Sequence, residues 1–153
     1  MKKLSRSIIM GMALSLMVLV GLTGSAGAAK PEPLFKVGSV AYTPDSDSVA
    51  TLEAYNLEWK VYRPDTACIS VWDGTGLISN TTVCSGSIKG SDEKYPQNLY
   101  VEGAINESVG TQNLLTAGKS YNLRVDLMRH GKVIASSASY LFTAGTDYSS
   151  SPQ

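Results

Sequence analysis

The chain contains very little histidine and cysteine, with one His and two Cys among 153 residues. Zinc sites need clustered His and Cys ligands, so we expect no metal and no cofactor. His130 stands between Arg129 and Gly131, where the sequence predicts a hairpin turn, and the Gly-x-Ser-x-Gly motif of many hydrolases is absent. We therefore predict that the protein is not an enzyme. A secreted hydrolase built around His130 is the weakest alternative.

Basic residues are also few once the N-terminal segment is set aside. The whole chain has 13 Lys and Arg against 13 Asp and Glu, but Lys2, Lys3 and Arg6 lie within the first 29 residues. The remainder therefore carries a net charge of about −3. A nucleic-acid-binding domain presents a basic face, and binding to a membrane surface needs a basic amphipathic helix. The sequence shows neither pattern, so we expect no nucleic acid and no membrane surface as partner.

Long apolar runs are limited to the N-terminus, which has the pattern of an export signal. Residues 1–6 include three basic side chains, residues 8–20 are almost entirely apolar, and residues 24–29 are small, as in a secretory signal peptide. A transmembrane anchor is the alternative, but the apolar run is shorter than the roughly 20 residues that span a bilayer. We predict cleavage after Ala28 or Ala29, which makes the mature protein secreted or periplasmic, with no insertion in a membrane.

The two cysteines, Cys68 and Cys84, both lie in the part that is predicted to be exported. In an oxidising compartment an even number of Cys indicates a disulfide, which here closes a loop of about 16 residues. Two reduced buried thiols and a redox pair are the alternatives, although no Cys-x-x-Cys spacing is present. Asn80 and Asn106 begin glycosylation sequons, which matter only where the source modifies such sites.

Apolar and polar residues alternate along most of the remaining chain. Tyr55, Leu57, Trp59 and Val61 alternate with polar neighbours, and we predict that these four share the buried face of a strand. Seven to nine short runs of this kind, separated by turn signals, are typical of an all-β antiparallel sandwich. We predict this domain over residues 30–145 and a flexible polar tail thereafter, at residues 146–153. The predicted strands are residues 34–42, 48–53, 55–62, 66–72, 78–88, 98–105, 110–115, 120–128 and 132–143.

Residues 115–125 resemble the tyrosine corner of fibronectin type III and immunoglobulin-like domains. A glycine turn and Tyr121 precede an alternating strand, and in those domains the Tyr hydroxyl bonds to upstream backbone. The hairpin that follows, which closes at residues 140–143, is similar to the last two strands of a fibronectin type III domain. The resemblance implies an adhesion, recognition or spacer module, with Trp59 in place of the family's buried Trp. The two Cys are too close in sequence for the inter-sheet bridge of antibody domains, so we expect a bridge between neighbouring strands or from a strand to a loop.

Three aromatic residues are predicted to face away from the core and to form a binding surface. If Ile69 and Val71 are buried, alternation places Trp72 on the opposite side, and the same pattern directs Tyr62 and Tyr100 outward. Alternatively, a bulge after Val71 turns Trp72 inward. Exposed rings bind proteins or sugars. We therefore predict an exported protein-interaction or adhesion module and, as the alternative, a small carbohydrate-binding module that stacks a polysaccharide on these rings.

Overall fold

A computed structural model describes residues 33–46, 48–88, 99–109 and 112–150 of the chain. All of these residues belong to one compact unit. The export signal predicted at residues 1–29 lies outside the described residues. Within the described ranges every regular element is a β-strand, and none contains a helix long and apolar enough to cross a membrane. The predicted all-β class is therefore confirmed for this part of the chain.

The strands are β1 (Leu34–Lys36), β2 (Ser39–Ser46), β3 (Val49–Lys60), β4 (Thr66–Trp72), β5 (Leu77–Cys84), β6 (Leu99–Asn106), β7 (Ser108–Val109), β8 (Gln112–Asn113), β9 (Ser120–Arg129), β10 (Lys132–Ser136), β11 (Tyr140–Thr143) and β12 (Tyr148–Ser149). The predicted strands at residues 48–53 and 55–62 are one continuous strand, β3. The strand predicted at residues 132–143 is divided into β10 and β11.

Ten of these strands form two antiparallel sheets that pack in a sandwich-like arrangement, while β7 and β8 pair only with each other. In the first sheet, β1 and β2 lie one after the other along one edge of β3, β6 lies along the other edge, and β12 extends the sheet beyond β2. In the second sheet, β4 lies between β5 and β9, while β10 and β11 follow one another along the far edge of β9. Tyr148 and Ser149 were predicted to lie in a flexible tail. They instead pair with Tyr42 and Ala41, so part of that segment belongs to the first sheet.

Each sheet turns one apolar face toward a shared core. Alternate residues of β4 and β9 are fully buried, as the two-residue period of a half-buried strand predicts. Complete burial of one aliphatic side chain stabilises the folded state by about 1.5–3 kcal/mol. These apolar faces therefore supply most of the free energy that favours folding. The fully buried side chains include Val40, Tyr42, Leu52, Leu57 and Val101 of the first sheet and Ile69, Val71, Leu123, Val125 and Leu127 of the second.

A bulge at Asn56 changes which residues of β3 face the core. The register of β3 against β6 shifts between Ala54 and Leu57. Asn56 has a φ of 52°, in the left-handed region that Asn adopts more readily than most residues. Before the bulge the even-numbered side chains are buried, and after it the odd-numbered ones are buried.

This bulge corrects one prediction about β3. Leu57 and Trp59 are buried, as predicted, with Trp59 2% exposed. Tyr55 precedes the bulge and is only half-buried, on the outer side of the sheet, so its predicted core position is wrong. Val61 lies beyond the end of β3 and is 48% exposed, so its predicted core position is also wrong. Buried and outward residues do alternate along β3, but the buried set changes from even-numbered to odd-numbered residues at the bulge.

The second sheet approaches the first closely where β5 passes β6. A Cβ atom at Gly103 would lie 2.6 Å from Cγ1 of Val83, well inside the contact distance of two carbon atoms. Glycine inside a strand often marks such a close approach. On the opposite side of the domain, a 380 Å³ cleft lined by Phe35 and Tyr140 separates β1 from β11.

Tyr121 forms the tyrosine corner that the sequence predicts. Its side chain is 3% exposed, and its hydroxyl accepts a hydrogen bond of 2.9 Å from the backbone N–H of Thr116. Gly118 lies in the turn between Thr116 and Tyr121 with a φ of 80°. Glycine adopts this left-handed conformation at little steric cost. The predicted bond between this hydroxyl and the upstream backbone is confirmed.

We expect Tyr121→Phe to lower the free energy of unfolding by about 1–3 kcal/mol, because the Thr116 N–H loses its acceptor while the ring still fills its site. Urea denaturation of the two proteins measures the difference. Tyr140→Phe is the control, since that hydroxyl takes no part in the corner. Equal midpoints for Tyr121→Phe and the wild type would show that the corner contributes nothing to stability.

Cys68 and Cys84 form a disulfide, as predicted. They lie directly opposite each other on β4 and β5, with Cα atoms 4.0 Å apart and a sequence separation of 16. The bridge therefore joins neighbouring strands of one sheet, which was one of the two arrangements expected from the spacing. Cys68 is buried, whereas Cys84 is exposed.

Candidate functional site

Trp72 ends β4 on the outer face of the second sheet, opposite the side that buries Ile69 and Val71. Its side chain is half-buried, and its indole N–H donates a 2.8 Å hydrogen bond to Oγ of Ser70. The guanidinium carbon of Arg124 lies 3.4 Å from the ring centroid. This contact covers one face of the indole, which reduces the ring surface available to a ligand.

Arg124 also connects Trp72 to a polar row across β9 and β10. Its Nε and Nη2 atoms donate to Oδ2 of Asp126 over 3.2 and 3.0 Å, and Oγ of Ser136 donates to Oδ1 of the same carboxylate over 2.6 Å. Asp126 is 6% exposed. A buried carboxylate needs such partners to offset the loss of its hydration. The polar row is therefore explained by the need to stabilise the buried Asp126 carboxylate.

Tyr62 and Tyr100 lie in other parts of the domain. Tyr62 follows β3, is half-buried and packs against the core. Tyr100 lies in β6, on the outer face of the first sheet, and is 42% exposed. The structure therefore does not bring Trp72, Tyr62 and Tyr100 together on one surface. Of the three, Tyr100 is the most exposed.

Tyr100 belongs to a group of two tyrosines and two glutamates, here termed the acidic tyrosine cluster: Glu53 and Tyr55 of β3 with Tyr100 and Glu102 of β6. Residues two apart on a strand share a face, which places each Tyr beside a Glu. The two rings stack with centroids 4.8 Å apart and planes inclined at 30°. The Tyr100 hydroxyl donates a 2.7 Å hydrogen bond to Oε1 of Glu53. Glu53 and Glu102 are direct cross-strand partners.

Hydrogen bonds to carboxylates dominate the electrostatics of the acidic tyrosine cluster. The bond to Glu53 is the largest cause of the raised pKa of Tyr100, and a bond to Glu53 is likewise the largest cause of the raised pKa of Tyr55. Both phenols therefore stay neutral and can donate. Like charges directly opposite each other destabilise a sheet, so the phenol donors offset part of the repulsion between Glu53 and Glu102.

The parts of the strands nearest the cluster carry negative charge alone. Neither β2, nor β6, nor residues 49–57 of β3 contain Lys or Arg, whereas they contain Asp45, Glu53 and Glu102. The ion pairs found among the described residues, Arg124–Asp126 and His130–Asp65, lie elsewhere in the domain. The centre of this outer face is thus an acidic and aromatic surface.

A second polar site lies beside the end of β2, where a 520 Å³ cleft is lined by Asp45, Glu107 and Gly145. Glu107 is 8% exposed and accepts a hydrogen bond from the hydroxyl of the fully buried Tyr42. That hydroxyl accepts a 2.9 Å bond from the Gly145 N–H. Burial, followed by the bond to Glu107, raises the pKa of Tyr42 to about 12. The phenol therefore remains a neutral donor that ties three separate chain segments together.

We expect Tyr42→Phe to be less stable than the wild type at neutral pH, by about 1–3 kcal/mol, because the Gly145 N–H loses its acceptor. The pKa of Tyr42 rises from the ordinary phenol value of 10.0 to about 12 in the folded protein. Its stabilising contribution is complete below pH 10 and falls as the pH rises toward 12, since the unfolded chain releases this proton first.

Urea denaturation of both proteins at increasing alkaline pH measures this dependence. The difference between wild type and Tyr42→Phe should shrink above pH 10. A difference that stays constant through that range would contradict the assignment of the raised pKa to Tyr42.

His130 lies in the turn between β9 and β10, where the sequence places it. Its side chain is 82% exposed, its Nδ1 lies 3.6 Å from Oδ2 of Asp65, and its backbone N–H donates a 2.7 Å bond to the same oxygen. This is the environment of a solvated turn residue. In the described ranges, no group of three or more His, Cys, Asp and Glu side chains is placed to hold a metal ion.

No protein-family model, curated protein or solved structure matches this chain. The choice of site therefore depends on exposure, contacts and charge among the described residues. By these measures the acidic tyrosine cluster is the strongest candidate, because it combines an exposed aromatic side chain with charge of one sign on two paired strands.

The sequence points to Tyr100 but not to its three partners. Glu53 and Glu102 are separated by almost fifty residues, and their proximity depends on the register of β3 against β6. Tyr55 was assigned to the core because the bulge at Asn56 leaves no simple signal in the alternation. The sequence does contain one clue, because residues 49–57 and 99–106 include no Lys or Arg.

Proposed function

We propose that the protein is an exported, non-enzymatic interaction module with an immunoglobulin-like, fibronectin type III-like sandwich fold. It binds another protein at the cell surface or in the periplasm, and the acidic tyrosine cluster is the centre of its binding face. The observation that carries this proposal is the exposure of Tyr100, a large aromatic side chain that is held in a fixed position outside the core.

The division of strands between the sheets supports the fold assignment. One sheet contains β1–β2, β3 and β6, and the other contains β5, β4, β9 and β10–β11. This resembles the three-strand and four-strand sheets of fibronectin type III domains. The tyrosine corner at Tyr121 and the buried Trp59 fit the same family. The additional strand β12 is a departure from it.

Two features support export. The N-terminal segment has the composition of a signal peptide, and the Cys68–Cys84 disulfide is of the kind that persists in oxidising compartments.

The position of Tyr100 supports protein binding in particular. Its hydroxyl is bonded to Glu53 and its ring is stacked on Tyr55, so little conformational freedom remains to be lost when a partner binds. Ordering a flexible side chain at an interface costs about 0.5–1.5 kcal/mol, which a preorganised ring avoids. Tyrosine is also among the residues that most often dominate interface energies.

The same geometry favours protein over polysaccharide. A sugar-binding platform needs ring faces that are free to stack, and here Tyr55 and Tyr100 stack on each other. Trp72 lies on the other sheet with one ring face covered by Arg124. The three rings that are predicted to stack a polysaccharide, those of Trp72, Tyr62 and Tyr100, therefore do not form a common platform.

Affinity capture with Tyr100→Ala tests the proposal. Wild type and variant are immobilised, exposed to the native extracellular or periplasmic fraction, and the retained proteins are quantified by mass spectrometry. We expect the specific partner to be depleted about tenfold or more on the Tyr100→Ala resin.

Leu141→Ala is the matched control, because Leu141 is also a large exposed apolar side chain, at 63%, but lies on the second sheet. It should retain the partner. Equal capture by wild type and Tyr100→Ala would contradict the proposed face. A shift of Trp fluorescence on titration with polysaccharides, together with no captured protein, would favour the carbohydrate-binding alternative.

A further inference from the structure

The acidic tyrosine cluster also specifies the chemistry of its partner. We propose that the protein binds a basic segment of its partner, with an arginine or lysine side chain seated between Glu53 and Glu102 and against the Tyr100 ring. This inference rests on the proposed function and narrows it from protein binding to recognition of positive charge.

The first reason is the unbalanced charge of the face. Glu53 and Glu102 are direct cross-strand partners, an arrangement that destabilises a sheet when both side chains are charged. Asp45 adds negative charge on the adjoining strand β2, and its Oδ2 accepts a 2.6 Å bond from Thr51 on β3. A cation placed between the two glutamates removes the repulsion. Binding of a basic segment is therefore favoured, because the free domain retains this repulsion between Glu53 and Glu102.

The second reason is the pairing of carboxylates with aromatic rings. A guanidinium group can bond to a carboxylate through two parallel N–H donors and can stack on a tyrosine ring at the same time. Tyr55 occupies one face of the Tyr100 ring, but the side chain is 42% exposed, so part of the ring remains accessible next to Glu102 on β6. A neutral or acidic segment would supply no cation to offset the charge of the two carboxylates.

The domain itself contains a pair of similar composition. On the second sheet, Arg124 lies 3.4 Å from the Trp72 ring and donates two bonds to Asp126. There a cation occupies the space between an aromatic ring and a carboxylate on neighbouring strands. On the first sheet the aromatic rings and carboxylates are present, whereas β6 and residues 49–57 of β3 contain no Lys or Arg, and the one basic residue of β3 is Lys60 at its far end.

The probe is a short peptide that alternates arginine and threonine, titrated into the isotope-labelled mature protein while backbone amide shifts are followed by NMR. The matched peptide carries citrulline, which keeps the shape of arginine without its charge. We expect the arginine peptide to shift the amides of β3 and β6 around Glu53 and Glu102. The citrulline peptide should bind about fivefold or more weakly. Binding of the arginine peptide should weaken from about 50 mM to about 500 mM salt.

Three variants with the same change in net charge locate the effect. Glu53→Gln and Glu102→Gln should each weaken arginine-peptide binding about two- to fivefold, the range expected for one exposed charge pair. Glu58→Gln is the control. It lies on the same strand but pairs with Lys36 of β1, and it should bind the peptide like the wild type.

The outcomes separate this inference from the proposed function. Equal binding of the two peptides, shifts confined to other surfaces, or equal weakening by all three variants would overturn the basic-partner inference. If Tyr100→Ala still abolishes capture of the native partner, the proposed function stands and only the partner's chemistry is wrong. If capture is independent of Tyr100, the binding face itself is wrong.

Discussion

Trp59→Ala is expected to lower the free energy of unfolding by about 3–5 kcal/mol, which is the usual cost of deleting a large buried aromatic side chain. Trp59 is 2% exposed and lies in β3 opposite Phe35 of β1. The cavity left by the indole cannot close easily, because β1 is fixed beside Trp59 by its pairing with β3. Urea denaturation followed by circular dichroism measures the change without relying on Trp fluorescence.

Two other variants provide the comparison. Val61→Ala, at a side chain that is 48% exposed, should change stability by no more than about 0.5 kcal/mol. Trp72→Ala should have an intermediate effect of about 1–2 kcal/mol, from the lost cation–π contact and indole hydrogen bond. A loss at Trp59 no larger than the loss at Trp72 would contradict the placement of Trp59 in the core.

Removal of the disulfide is expected to cost about 3 kcal/mol, because the bridge restricts a loop of about 16 residues in the unfolded chain. Cys68→Ala/Cys84→Ser suits the two environments, since Cys68 is buried and Cys84 is exposed. The fold should survive, as β4 is also paired along its whole length with β9. Thermal denaturation of the variant and of reduced wild type should agree.

Intact mass after alkylation without reductant is the direct test of the bridge. The denatured wild type should gain no alkyl group, and after reduction it should gain two. Two groups added before reduction would show that Cys68 and Cys84 are free thiols.

Local patterns in the sequence predict the described elements well. The runs that become β4, β6 and β9 are recognisable from their two-residue period, because one face of each is buried. Tyr121 is recognisable because a corner needs a glycine turn at a fixed distance before the tyrosine. The disulfide follows from the even count of Cys, and only its position across one sheet needed the strand register.

The candidate site is harder to predict because it depends on contacts between distant segments. Tyr100 is identifiable as an outward residue within its own strand. Its stacking on Tyr55 requires the bulge at Asn56, and a one-residue change of phase exchanges the two faces of a strand. The meeting of Glu53 with Glu102 requires the pairing of β3 with β6, which no local pattern encodes.

The short distance between Val83 and Gly103 has a consequence for sequence variation in this fold. With 2.6 Å between a Cβ at position 103 and the valine methyl, the two positions share a fixed volume. Substitutions there should covary: an alanine in place of Gly103 is tolerable only beside a smaller side chain in place of Val83. Coupled substitution at this pair would therefore mark related chains that keep the same sheet spacing, even where the rest of their sequences has diverged.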